Sequence, residues 1–149
     1  MKFTCRTEYA LKALADLAAA FPGGEAVPLS AVARRQGIPL PFLEQIMLAL
    51  KHAGYVASRR GKGGGYFLAR PPRQITLGEI IRLLDGPLQP VSCGACGQEV
   101  DGGEPCAFRE VWQQVAEAVA GVVDGATFQD ILRRGGELRR RGSAYIYHI

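Results

Sequence analysis

Three of the four cysteines of this chain crowd into one short stretch as Cys93-x2-Cys96-x9-Cys106, while Cys5 stands alone near the start. In a reducing compartment, clustered thiols serve as metal ligands or redox sensors more often than as structural disulfides. Cys106 opens an apolar-periodic stretch that reads as a helix, where the dipole and free amides favour thiolate. Three thiolates suit soft metal chemistry, either zinc or an iron–sulfur cluster. A thioredoxin-type site would want its CxxC after a strand and opening a helix, and this pair lies in a polar loop. A zinc knuckle would want a fourth Cys or His nearby, and His52 and His148 are both remote in sequence. Spacing alone therefore leaves the metal open.

A second set of residues carries charge. Between Glu44 and Glu79 there are six Lys or Arg (Lys51, Arg59, Arg60, Lys62, Arg70, Arg73) and no acid, which is the footprint of a polyanion partner. Three of these cations flank or sit in a glycine cluster, Gly61-Lys62-Gly63-Gly64-Gly65. A P-loop would need GxxxxGK[ST] between strand and helix, and here a strand follows. The dinucleotide fingerprint GxGxxG fails too, because Tyr66 takes its last glycine position.

The elements that position these groups are mostly helical. A first helix from about Arg6 to Phe21 buries Tyr9, Ala10, Ala13, Leu14 and Leu17 and stops at Pro22-Gly23-Gly24. Leu29 to Gln36 forms a second, with Ser30 as its expected cap and Gly37 ending it. After a tight turn, Pro39 and Pro41 open a third, in which Phe42, Leu43, Ile46, Met47 and Leu50 recur at helical spacing. That leaves Pro41, Glu44, Gln45, Lys51 and His52 for the opposite face, with Gly54 as the stop. Tyr55 to Arg59 and Tyr66 to Ala69 are strand-like and joined by the glycines, whose positive backbone angles a hairpin turn needs. A helix-turn-helix followed by a basic hairpin is how a winged helix meets DNA, helix in the major groove and wing against backbone or minor groove.

Beyond the hairpin, Pro71-Pro72 breaks the chain, and Thr76 with Glu79 forms a capping box for a helix running to Asp85. Residues 88–105 read as a long loop. A long helix then runs from Pro105 to about Asp124 with Phe108, Val111, Trp112, Val115, Val119 and Val122 as an apolar stripe suited to an intersubunit seam. Thr127 caps a last short helix, TFQDILRRG, after which the tail has no assigned structure. The expected fold is mainly α with a small β-hairpin. A winged helix-turn-helix DNA-binding domain spans 1–86, a cysteine-bearing loop 87–105, and a dimerisation helix with its tail 106–149.

The totals agree. A chain of 149 residues with 48% hydrophobic content can bury one real core, and a net charge of +4 favours nucleic acid only weakly, because the excess is local. Glu8, Lys12 and Asp16 interrupt the apolar N-terminal stretch every helical turn, so it reads as an amphipathic helix. No run reaches the roughly 18 apolar residues of a membrane span, so the expected place is the cytoplasm, without membrane association. No general base or nucleotide fingerprint stands out, so no enzyme is expected.

Taken together, MKFTCRTEYALKAL, IPLPFLEQIMLALKHAGYV, RRGKGGGYFLAR, ITLGEIIRLLDG and CAFREVW resemble the iron–sulfur winged-helix regulators of bacteria over nearly the full length. That family is typified by the iron–sulfur cluster regulator and the nitric-oxide-sensing repressor. The resemblance implies a homodimeric regulator whose binding to a double-stranded DNA operator follows the state of a cluster, [2Fe–2S] favoured over [4Fe–4S]. It places a base-contacting carboxylate on Glu44 and a minor-groove arginine on Arg60, chemistry suited to cytosine N4 and to a narrow groove respectively. With the exposed helix face and the basic stretch, Pro41, Gln45, Lys51, Arg59 and Lys62 complete the expected DNA face, Pro41 standing where relatives often carry a polar residue. The implied cluster ligands are Cys93, Cys96 and Cys106, with Glu8 of the partner subunit as the leading fourth and Cys5 as the second candidate. Two departures stand out: relatives space their cysteines more evenly, and Arg109 replaces the histidine that some members use. The alternative is a cluster-free repressor whose cysteines bind zinc or sense thiol oxidation.

Overall fold

The structure, a computed structural model, describes residues 3–89 and 107–146. Six helices and a two-stranded antiparallel hairpin make up the described residues, as expected for a mainly α winged helix. Helix α1 (Cys5–Ala20) lies at the centre, with α2 (Leu29–Gln36), α3 (Leu40–His52), the hairpin, α4 (Leu77–Asp85) and α6 (Phe128–Ile146) against it. Ala10, Ala13, Leu14, Leu17 and Ala18 give α1 a buried stripe of small and medium side chains, which lets its neighbours approach closely. Leu43, Ile46, Met47 and Leu50 of α3, Ile75, Ile80 and Phe128 complete one core. Each such side chain contributes about 1.5–3 kcal/mol by leaving water.

Helix ends differ in detail from the sequence expectation. Helix α1 stops at Ala20 and gives way to a 3-10 turn over Phe21–Gly23, closed by Gly24 at φ +64°. Pro28, not Ser30, occupies the N-cap of α2, and Ser30 lies inside the first turn without a capping bond. Phe42 is not a core residue: it is 42% exposed and meets Tyr9 edge-on, ring centroids 5.7 Å apart. Its position at the border of the buried stripe explains the difference, because periodicity cannot tell which border residue finds a partner. Helix α6 runs through Gly135 and Gly136 to Ile146 and is far longer than expected, each mid-helix glycine costing about 1 kcal/mol relative to alanine.

Strands β1 (Val56–Arg59) and β2 (Gly65–Leu68) pair in register Val56 with Leu68 and Arg59 with Gly65. Sequence reading missed a third partner. Val27, from the link between α1 and α2, bridges to Tyr66 through two reciprocal backbone bonds of 2.8 Å, and so pins the hairpin to the helical body. This close approach is why Gly65 is glycine. Its φ is +151°, and a Cβ there would collide with the Val27 carbonyl.

Two capping boxes stand side by side on the opposite side of the fold. Thr76 and Glu79 satisfy each other at the start of α4, and Thr127 and Asp130 do the same at α6. The two starts are joined, Leu77 donating to the Ala126 carbonyl (3.0 Å) and Phe128 to that of Ile75 (3.1 Å). Helix α5 (Ala107–Asp124) arrives there through a forked ion pair, Arg82 to Asp124 at 2.6 and 2.8 Å, in the space that Gly78 leaves open. Thus α6 returns to share the core of the first 86 residues, while α5 carries Phe108 (73%) and Val122 (72%) exposed.

Gly65→Ala is expected to destabilise the fold by about 2–4 kcal/mol, since strain and overpacking add at one backbone site. Urea unfolding should show this as a lower midpoint. An unchanged midpoint would mean that the Val27 bridge does not hold the wing.

Candidate nucleic-acid interface

Gly37, at φ +64°, ends α2, and buried Ile38 sets the angle at which α3 departs. Pro39 and Pro41 carry no N–H, so the start of α3 has few donors to satisfy, and it has no side-chain cap. Burying Leu43, Ile46, Met47 and Leu50 turns Pro41, Glu44, Gln45, Leu48, Lys51 and His52 outward. The expected DNA-facing residues of the helix therefore share one exposed face.

The wing adds its own. Lys51 Nζ donates to Ser58 Oγ at 2.6 Å, which ties the last turn of α3 to strand β1. Arg59 lies over the Phe67 ring, 5.5 Å from its centroid, a cation–π contact that steadies the base of the hairpin. Arg60 and Lys62 occupy the exposed turn, closed by the Gly64 amide on the Gly61 carbonyl at 2.9 Å. Gly61 and Gly63 take φ of +94° and +76°, so the tip needs their freedom. Among the described residues neither Arg60 nor Lys62 has an ion-pair partner.

Not every cation of the acid-free stretch belongs to this surface. Arg70 sits 4.4 Å above the Tyr55 ring centroid and 3.8 Å from Glu79, which makes it a structural group. Arg73 lies beside Thr127 and Asp130 at the start of α6. What remains, Lys51, Arg59, Arg60 and Lys62 beside Glu44 and Gln45, is a basic surface with one carboxylate on its helix. Phosphates would meet the cations, and Glu44 is equipped to accept from a base.

Candidate metal ligands divide differently. Cys93, Cys96 and Cys106 lie outside the described residues, and the described residues alone hold no group of three metal-binding side chains. Cys5 and Glu8 stand one turn apart on exposed positions of α1. Glu8 accepts from Lys12 at 2.6 Å, and that hydrogen bond and charge raise the Lys12 ammonium above its ordinary value.

The turn bearing Cys5 and Glu8 is held by a group that sequence reading overlooked. Asp85, the last residue of α4, accepts from the Thr4 hydroxyl (2.6 Å) and the Thr4 amide (3.1 Å), and Thr4 caps α1. Burial pushes the Asp85 carboxyl up, but bonds from Thr4 and Thr7 and the charge of Arg6 outweigh it and leave it below the usual carboxylate value. No local pattern could have revealed a contact between residues so far apart in sequence.

This arrangement is that of a winged-helix transcriptional regulator. The Rrf2 family model, described as an iron-dependent transcriptional regulator, matches residues 3–134, and the chain belongs to that family. An rrf2-like HTH-type transcriptional regulator of Rhodobacter capsulatus is 37% identical over 139 residues, covering 89% of this chain and 93% of the relative. The HTH-type transcriptional regulator IscR of Cronobacter sakazakii is 34% identical over 135 residues, 89% of this chain and 80% of that one. Among solved structures, T. potens IscR superposes with a TM-score of 0.78 at 36% identity, covering 93% of this chain and 90% of its own. CymR, titled the global cysteine regulator of B. subtilis, reaches 0.77 at 35% identity, covering 90% and 98%. The chain is accordingly a DNA-binding transcriptional regulator and not an enzyme.

Arg60→Ala should weaken binding to a selected duplex by about 1–3 kcal/mol and blur discrimination where the wing enters. Lys62→Ala should weaken selected and scrambled duplexes alike and lower the salt slope by about one. Fluorescence anisotropy across a salt series reads both, and affinity insensitive to salt would remove this face as the interface.

Asp85→Asn should cost about 1 kcal/mol at neutral pH, the order of one charge-assisted bond at a partly exposed site. Because the folded-state carboxyl is depressed, its contribution is present above the ordinary value near 4 and fades as pH falls through the folded value. The gap in urea midpoint between parent and variant should therefore narrow as pH falls below the ordinary carboxylate range. A gap that stays constant from neutral pH to acid would show that Asp85 does not act through its charge.

Proposed function

We propose that the protein is a homodimeric regulator whose operator binding is controlled by an iron–sulfur cluster held by Cys93, Cys96 and Cys106. The observation that carries this reading is three clustered cysteines immediately ahead of α5 in a chain of an iron-dependent regulator family. The donor chemistry fits: three soft thiols supply most of a cluster's coordination, and one site remains for a group from elsewhere. Glu8 of the partner subunit is the leading fourth ligand, as the family resemblance implies; it is exposed on α1, and its surface pair with Lys12 is readily exchanged. Cys5, one turn earlier, is the second. An oxygen ligand holds iron less softly than sulfur, which suits a sensor of redox state, nitric oxide or cluster supply. We favour [2Fe–2S] over [4Fe–4S].

Dimerisation is assigned to α5. Its exposed Phe108, Val111, Trp112, Val115 and Val122 make an apolar stripe that a second copy would cover, as two-fold symmetric operators require. A second reading, a cluster-free repressor responding through its thiols or through zinc, draws on the likeness to the cysteine regulator CymR.

Anaerobic purification followed by visible absorption and iron and sulfide analysis separates the two. The parent should be coloured, and Cys93→Ser, Cys96→Ser and Cys106→Ser should each lose the chromophore. Glu8→Ala should fold normally yet hold a more labile cluster, whereas Cys5→Ser should matter much less. Colour lost in Cys5→Ser and kept in Glu8→Ala would make the site all-thiolate. A colourless parent holding zinc would favour the second reading. Val115→Glu, by placing a charge on the seam, should weaken self-association in sedimentation, and an unchanged dimer would locate the interface elsewhere.

A further inference from the structure

We propose that Leu48 is a specificity residue that receives the C5-methyl group of a thymine in the major groove. Leu48 is 47% exposed and stands in the middle of the outward face of α3. Glu44 and Gln45 lie one turn before it, and Lys51 and His52 one turn after, all exposed. The apolar side chain is thus ringed by polar groups on the surface that the basic wing continues. It takes no part in the core, which Leu43, Ile46, Met47 and Leu50 build on the opposite side of the helix.

Single exposed leucines are common and need no explanation by themselves. Placement makes this one different. Because Lys51 Nζ is bonded to Ser58 Oγ, the wing is fastened to the last turn of α3. A duplex touching both Pro41 and the wing therefore spans the whole exposed face, and Leu48 lies inside that footprint rather than at its rim. A leucine has nothing to offer a phosphate, and it would bury a base-edge donor or acceptor without a partner. The one apolar group on the floor of the major groove is the thymine methyl, so that is the partner its chemistry selects. Glu44, one turn away, offers an acceptor suited to cytosine N4, so the two side chains together would favour a thymine close to a cytosine.

The inference rests on α3 entering the major groove, and the test separates the two. Duplexes are selected from a random library by the full-length protein, and each thymine of the preferred half-site is then replaced by deoxyuridine. Only the methyl group is lost. One position should weaken binding by about fourfold, the worth of one buried methyl. Leu48→Ala should bind the thymine and uracil duplexes equally, and Leu48→Met, which keeps an apolar tip, should restore most of the difference. If uracil is silent at every position, or its effect persists undiminished in Leu48→Ala, the assignment to Leu48 is wrong while groove reading by α3 stands. Failure to select any sequence would overturn groove reading and this inference together.

Discussion

The fold depends on a short bridge in which residues 125–128 lie against residues 75–77. Two backbone bonds join the segments, Phe128 fills the core beneath, and each segment contains a threonine, Thr76 or Thr127, that caps a helix. An isolated pair of bonds this short would not survive in water. Here the burial of Phe128 and Ile75 makes their loss expensive, because opening the bridge would expose apolar surface and leave backbone groups without partners. Everything C-terminal is registered from this point: α5 ends on it through Asp124, and α6 begins from it. Gly78 is part of the same constraint, since any side chain there would occupy the volume of the Arg82–Asp124 pair.

On the reading side a comparable economy applies. The hairpin is too small to be stable alone, yet it carries Arg60 and Lys62 and stays fixed against the helical body and α3. Three contacts of different kinds do this: the Val27–Tyr66 backbone bridge, the Lys51–Ser58 hydrogen bond and the Arg59–Phe67 stack. The first fixes the hairpin to the body, the second fixes it to α3, and the third orients a cation at its base. Long basic side chains lose rotamer freedom on binding, so cations already restrained by the protein have less to lose when they meet phosphate.

Much of this was legible in the sequence where the signal is local. The buried stripe of α3, the glycine hairpin, the Thr76–Glu79 box and the α5 stripe all depend on residues within a few turns of one another. Contacts across the chain were not legible. Val27 is one apolar residue in a link, and nothing near it announces that Tyr66 will be its strand partner. Asp85 closing the helix that begins at Thr4 is the same kind of contact. For α6 the local signal misled, because Gly135-Gly136 reads as a stop, whereas the helix anchored by Phe128 and Leu132 continues through it. The faces of α3 were right in outline and wrong at their border, where Phe42 came out and Leu48 completed the exposed side.

Helix α5 has the proportions of a lever. Its 18 residues span about 27 Å, and Asp124, at one end, is the part clamped to α4. Rotation about that clamp by about 10° would carry the Ala107 end of a helix this long through roughly 5 Å. Read in reverse, a few ångströms of displacement at the Ala107 end demand only a slight rotation at the Arg82–Asp124 clamp, well within what packed helices accommodate by sliding. In a two-fold pair the rotation counts twice, and operator half-sites have a fixed separation of about 34–36 Å per helical turn. In the homodimeric, cluster-bearing regulator proposed above, a helix clamped at Asp124 would convert a small chemical event near its Ala107 end into a change of pitch between two readers.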